Sequence, residues 1–294
     1  LTDQRIDPQI LHAIRHQLGW DRPFLQRLFL FFVQLIPVSF SSHFPYLSFH
    51  LPNLGISFHY HEEVLPLYFT HLQYTLLLVL PSLLLATLMA ILLGTWLGSV
   101  TSPTLKKMAH VFSMVGISLP SYFSAILLIA LTLELFPFFP AVGFPFQIEP
   151  TETRFAFPLF LLPALSLAIR PFALLFQLHM TSIEETLREP FIRTANAFGF
   201  PASTVLFRYA LRPAAIPTLT TFSNWLASLL GGTFFVEVIF QYPGVGWLLV
   251  NAIQTYDYPL VMGCCLMTAW LFLLIVFLTD FFYPLIDPRI RIQP

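Results

Sequence analysis

Five stretches of this chain are each long and apolar enough to cross a bilayer, and that restricts the possible folds more than any other feature. A membrane helix needs about 20 mostly apolar residues, because roughly 30 Å of hydrocarbon is covered at 1.5 Å per residue. Residues 74–97, 108–136, 157–180, 215–240 and 260–283 meet that requirement. Lipid offers no water to the backbone, so the expected class is all-α, a polytopic helical membrane protein. Pro81, Pro120 and Pro163 lie within or near these stretches. Such breaks are tolerated where neighbouring helices or a cavity satisfy the freed backbone groups, which favours a packed bundle over independent anchors. Only 10% of the chain is charged, against about 25% in a soluble domain. The net charge of −1 argues against a nucleic-acid partner. Cys264 and Cys265 are adjacent, which suits neither a disulfide nor a zinc site, and they read as packing residues.

Basic residues sort the loops by side. Lys106 and Lys107 lie between the first and second stretches; Arg188, Arg193, Arg208 and Arg212 lie between the third and fourth; Arg289 and Arg291 follow the last. The opposite loops carry only Arg154. By the positive-inside bias, loop 181–217 and the C-terminus are expected in the cytoplasm, with 136–155 and 241–259 outside. No charged n-region with a cleavage site precedes Leu1, so no signal peptide is read. Five spans ending inside leave residues 1–65 outside with nothing to carry them across. Residues 24–40 form either a sixth span or an interfacial amphipathic helix, in which case a first span lies upstream of Leu1; the pattern divides these evenly.

Loop 181–217 is a structured polar island holding four of the fourteen Lys+Arg and three of the fifteen Asp+Glu. Ser182 is expected to cap a helix with Glu184 and Glu185 in its first turn. Pro190 then interrupts it and opens a short helix, 190–198. Gly199 suits a left-handed stop, and Pro201 is expected to open a third helix through Leu211. Phe191, Ala195 and Phe198 recur at helical spacing and give this knob an apolar face, the mark of a contact surface.

These residues carry a resemblance. Glu185, Arg188, Phe191, Ile192, Arg193, Thr194, Ala195, Ala197 and Gly199, followed by Arg208, Ala210, Leu211, Arg212 and Ile216-Pro217, resemble the EAA loop of binding-protein-dependent ABC importers, and more narrowly of the dipeptide/oligopeptide/nickel permeases. Leu18-Gly19-Trp20-Asp21-Arg22-Pro23, Leu54-Gly55-Ile56-Ser57-Phe58 and Ile117-Ser118-Leu119-Pro120 match in order. So do Glu237-Val238-Ile239-Phe240, Tyr242-Pro243-Gly244-Val245-Gly246, Asp257-Tyr258-Pro259 and Asp287-Pro288-Arg289-Ile290-Arg291. The chain departs from the family at Gln177, Met180, Asn196, Phe198, Ser203 and Thr204, where basic residues are common, so the knob is less charged than usual.

The resemblance implies a type I ABC importer transmembrane fold with five spans present and a first span upstream, which places residues 24–40 outside. It implies an external segment 1–65 with an insertion at 37–52, a permease domain 66–285 and a cytoplasmic tail 286–294. It also implies a multi-pass protein of the bacterial inner membrane, with cytosolic ATPase subunits, a second homologous permease subunit and an external substrate-binding protein as partners. The ATPase-coupling residues are then Glu185, Arg188, Pro190, Phe191, Arg193, Thr194, Ala195, Ala197, Phe198, Gly199 and Pro217. No cofactor is expected on this chain. A Walker A loop needs Gly-Lys-Ser/Thr, and the only lysines are Lys106 and Lys107, so ATP belongs to the partner subunits and the chain is not itself an enzyme.

Arg170 lies deep in the third stretch, where an arginine costs about 3 kcal/mol on insertion scales. It reads either as a pathway residue attracting a peptide carboxylate or as a snorkelling or internally paired arginine. His59, His61, Glu62 and Glu63 offer metal-ligand types in a surface loop, but no metal site is expected. Peptides are the substrates that the family implies, with nickel or another small solute second. A proton-coupled secondary transporter would want several ionisable groups mid-span and would not need the structured loop.

Overall fold

The structure is a computed structural model and describes residues 52–143 and 157–286, with short pieces at 23, 25–26, 38–40, 47–49, 146–148 and 153–155. Most of segment 1–51, including the Leu18–Pro23 motif, the stretch 24–40 and the insertion, lies outside the described residues, as does 287–294. Its helices are α1 (Val64–Ser99), α2 (Pro103–Ser118), α3 (Ser121–Leu135), α4 (Phe157–Arg188), α5 (Pro190–Ala197) and α6 (Ala202–Thr204). A six-residue π-helical stretch, Val205–Ala210, then leads into α7 (Leu211–Phe240), α8 (Val245–Gln254) and α9 (Tyr258–Ile286). Two antiparallel pairs, β1 (Val38–Phe40) with β2 (Leu47–Phe49) and β3 (Phe146–Ile148) with β4 (Thr153–Phe155), are minor additions to a helical bundle.

Three helices are long and apolar enough to cross a membrane, and two bent pairs bring the total to five among the described residues. Their outward faces are as apolar as the core. Leu84, Leu88, Leu92 and Trp96 form an exposed stripe along α1, and Trp270, Leu273, Phe277 and Phe281 do the same on α9. Side chains of that kind, repeated at helical spacing, belong in lipid or against another apolar surface.

The expected second span is not a single rod. α2 and α3 meet at 104°. Pro120 denies Leu119 the helical region, and Leu119 is extended (φ −77°, ψ 119°). α7 bends by 64° between Leu226 and Gly231. Helix α4 also differs from expectation. It runs unbroken through Ser182, because Ile183 is fully buried and Glu184 pairs with Lys106 at 3.1 Å, so tertiary contacts override the cap signal. Likewise Pro201 is an N-cap, and no separate helix ends at Leu211; the helical path runs through Val205–Ala210 straight into α7, which contains Pro213 and Pro217.

The most extensive packing joins α1 to α4. Glycines permit it: a Cβ on Gly98 would stand 2.8 Å from the Ile183 Cβ, and one on Gly94 3.1 Å from the His179 ring. α7 packs against α1, α4 and α9, and the core between them holds Leu78, Leu83, Leu167, Leu229, Val236 and Phe240. Lys106 also donates to the Gly98 carbonyl at 3.2 Å, so the start of α2 and the ends of α1 and α4 meet at one basic end of the bundle. Residues 52–63, 241–244 and the α8–α9 turn gather at the opposite end.

Candidate functional site

Helix α5 is docked by one face and bare on the other. Glu189 is extended at its N-cap (φ −65°, ψ 149°), Pro190 occupies the first turn, and the Ile192 N–H donates to the Glu189 carbonyl at 3.1 Å. Ile192 and Ala195 are buried against Val205 and Ala210 of the π-helical stretch, with Leu187 and Tyr209 around them. Gly199 ends the element at φ +76°, in the left-handed region that favours glycine, and an added Cβ would meet nothing within 4 Å. The constraint there is on the backbone, not on space.

The outward face carries Phe191, Arg193, Thr194, Ala197 and, past the helix, Phe198, which is 77% exposed. Glu185 and Arg188 lie exposed beside it at the end of α4, and Pro190 is exposed at the start of α5 itself. The structure therefore splits the expected apolar face. Phe191 and Phe198 point away from the protein, whereas Ala195 points in with Ile192, because 3.6 residues per turn separate positions 191 and 195 by a further 40°. Pro217 is exposed on α7, seven residues beyond Ala210 at the end of the π-helical stretch.

Two polar links cross the bundle above the knob. His179 of α4 is fully buried, with Nε2 3.0 Å from Thr95 Oγ1 of α1 and Nδ1 3.0 Å from Thr218 Oγ1 of α7. One imidazole thus ties three spans, and the residue types gave only a weak sign of it: isolated polar positions in apolar runs. Arg170 sits nine residues earlier on α4. It is exposed, with its guanidinium carbon 5.7 Å from the centre of the Trp225 ring of α7. A cation over an indole face is an attractive arrangement worth about 0.5–2 kcal/mol.

At the opposite end a buried carboxylate organises the matched Glu237–Gly246 motif. Glu237 has no exposed surface and accepts from Thr75 Oγ1 at 2.8 Å, from the Gly246 N–H at 2.7 Å and from the Trp247 N–H at 3.3 Å. Thr75 in turn accepts from the Val245 N–H at 2.9 Å, so the first three amides of α8 are satisfied by two side chains from α7 and α1. Gly244 is glycine because a Cβ there would overlap the Glu237 carboxylate. His71 Nδ1, 2.7 Å from the Pro243 carbonyl, fixes the same turn to α1.

Asp257 does the equivalent work for loop 53–63. It accepts from Ser57 Oγ at 2.5 Å and from the His59 and Leu260 N–H groups at 3.0 and 3.3 Å. Burial pushes its carboxyl up, but the Ser57 hydroxyl and the amides of His59, Phe58 and Leu260 outweigh that and hold it below the usual aspartate value. His59 lends its backbone to this network. Among the described residues no group of three His, Cys, Asp or Glu side chains is placed to hold a metal ion.

Comparison with known proteins gives these features a context. Residues 90–292 match the family described as binding-protein-dependent transport system inner membrane component. A di/tripeptide transport system permease protein of Pseudomonas aeruginosa is 31% identical over 312 residues, covering 100% of this chain and 88% of that protein. Two proteins of Bacillus subtilis are similar over shorter spans. Its dipeptide transport system permease protein is 33% identical over 71% of this chain and 66% of its own length. Its oligopeptide transport system permease protein is 32% identical over 74% and 69%. The crystal structure of an amino acid ABC transporter with histidines superposes with a TM-score of 0.56 at 16% identity, over 74% of this chain and 93% of that one. That likeness shows a shared fold, the ABC importer transmembrane domain.

Proposed function

The chain belongs to the family of binding-protein-dependent transport system inner membrane components, and from that premise we propose that it is the membrane-spanning permease subunit of an ATP-driven importer of di- and oligopeptides. The peptide specificity rests on the names of its relatives, which favour peptides over nickel or another small solute. A binding-protein-dependent family likewise speaks against a proton-coupled secondary transporter. In this reading the basic end is cytoplasmic, residues 241–259 are external and the membrane is the bacterial inner membrane. Separate ATPase subunits hold ATP, a second homologous permease completes the channel, and an external binding protein delivers the peptide.

The observation that carries the proposal is the two-sided character of α5. Its inner face, Ile192 and Ala195, is packed on the π-helical stretch, so it cannot move without moving the root of α7. Its outer face, Phe191, Arg193 and Phe198, is bare on the side away from the bundle. A short helix fixed to a span on one side and open on the other suits a lever driven by closure of an ATPase dimer. The open face is aromatic with a single cation, so the grip on the ATPase relies on packing more than on charge.

The test is reconstitution of the permease pair, ATPase subunits and binding protein in proteoliposomes, with uptake of a labelled dipeptide followed on ATP addition. ATP-dependent uptake that Arg193→Glu abolishes, with binding-protein docking intact, is the expected result. Uptake driven by a proton gradient without the ATPase subunits would overturn the assignment.

A further inference from the structure

Between α7 and α9 lies an open cavity of about 280 Å³ that neither the α5 surface nor the Glu237 network uses. Its polar walls are Ser223, Asn224 and Ser228 of α7 and Thr279 and Asp280 of α9; Phe272 and Val276 complete it. Among the described residues, the side chains of Asn224, Ser228 and Asp280 have no hydrogen-bond or ion-pair partner, and all three are exposed. Asn224 lies six residues beyond Thr218, about 9 Å further into the bundle from the His179 link. Asn224 thus lies within its span, whereas Asp280 stands near the end of stretch 260–283; lipid satisfies neither an amide nor a carboxylate, so this face meets water or a polar group.

The neighbouring position gives the site its sign. Trp225, next to Asn224, carries the Arg170 guanidinium on the side of α7 that packs against α4. A fixed cation therefore flanks α7 on one side, and a carboxylate with amide and hydroxyl acceptors flanks it on the other. The Asp280 side of α7 thus carries a carboxylate with no cation among its described lining residues, which suits a cationic group.

We propose that the Asp280 cavity is a binding subsite for the terminal ammonium group of the translocated peptide. The Asp280 carboxylate accepts from the ammonium, with the Asn224 carbonyl and the Ser228 hydroxyl as further acceptors, and Phe272 and Val276 meet the first side chain. A primary ammonium has three donors and no acceptor capacity, which is the complement of this lining. The proposal rests on the peptide-import reading.

The experiment is equilibrium binding of radiolabelled trialanine to the detergent-solubilised complete complex, without the binding protein. The wild-type complex is expected to bind trialanine at least about tenfold more tightly than N-acetyl-trialanine, the ratio a charge-assisted hydrogen bond supports. Asp280→Asn is expected to weaken trialanine about tenfold and erase that preference, while Asp280→Glu restores most of it. Co-elution of both permeases and the ATPases on size exclusion shows that each variant is assembled. Equal affinity of the wild type for the free and acetylated peptides overturns the subsite, as do unchanged binding by Asp280→Asn, absence of trialanine binding, and dissociation of the Asp280→Asn complex, which would make Asp280 a subunit-interface residue. ATP-driven peptide uptake by the wild type separates the two ideas. If uptake persists, only the subsite falls; if wild-type uptake is absent, the import reading falls with it.

Discussion

Thr75 of α1 and Glu237 of α7, separated by 162 positions in sequence, are joined at 2.8 Å, and Thr75 simultaneously receives the Val245 N–H at 2.9 Å. The threonine hydroxyl is thus donor and acceptor at once, linking two spans to the start of a third helix. Thr75→Val keeps the shape and removes both bonds. It is expected to lower the melting temperature of the purified complex, leaving a buried amide unmet at a cost of about 1–3 kcal/mol. Thr75→Ser should stay near wild type, and equal melting of the valine and serine variants would refute this account.

The close approach of Gly244 to Glu237 leaves no room for a methyl group. Gly244→Ala should therefore loosen α8, for which Gly244 is the N-cap, a position where alanine is also disfavoured. The expected readout is faster amide exchange in 245–248, with α5 unaffected.

Coupling should fail in two distinguishable ways. Ile192→Ala removes the packed side of α5 at about 2–5 kcal/mol and should abolish transport along with protease protection of loop 181–217. Phe198→Ala, 77% exposed, should leave that protection intact and weaken ATPase association. Gly199→Val forces a β-branched residue to φ +76° and is expected to behave like Ile192→Ala, with Gly199→Asn partly restoring transport.

Acid should release loop 53–63. The Asp257 carboxyl is held below its ordinary value of 3.8 by its hydrogen bonds. Its contribution is therefore fully present above about pH 4 and is lost as pH falls through the lowered folded value. Amide exchange at His59 and Leu260 should rise in that window, and Asp257→Asn should show raised exchange at neutral pH with little further change on acidification.

Arg170 against Trp225 offers a fifth test. Arg170→Gln is expected to reduce uptake of peptides with a free terminal carboxylate several-fold relative to amidated ones, and Trp225→Leu to do so more weakly. No change in that ratio for Arg170→Gln would assign the arginine to packing alone.

Much of this arrangement was legible in the order of residues. Apolar length marked the spans, Gly199 marked the left-handed stop, and Pro190 marked the start of α5. What escaped were effects of distant partners. Ser182 carried a sound cap signal, but Ile183 buries and Lys106, 78 positions away, takes Glu184, so α4 continues. The run of apolar residues around Pro120 concealed a 104° corner, since hydropathy records composition and not direction. His179, Thr95 and Thr218 gave no joint signal, because their bonds close loops of 39 and 84 residues.

The glycine contacts between α1 and α4 also constrain how the permease can move. With Gly98 seated on Ile183 and Gly94 on His179, the two helices pack so closely that an added methyl group would overlap or crowd the facing side chain. A thrust delivered through α5 therefore reaches a block rather than a single rod. On the import reading, α1 and α4 would then answer the ATPase together, and any rearrangement would fall on the helices packed around that pair.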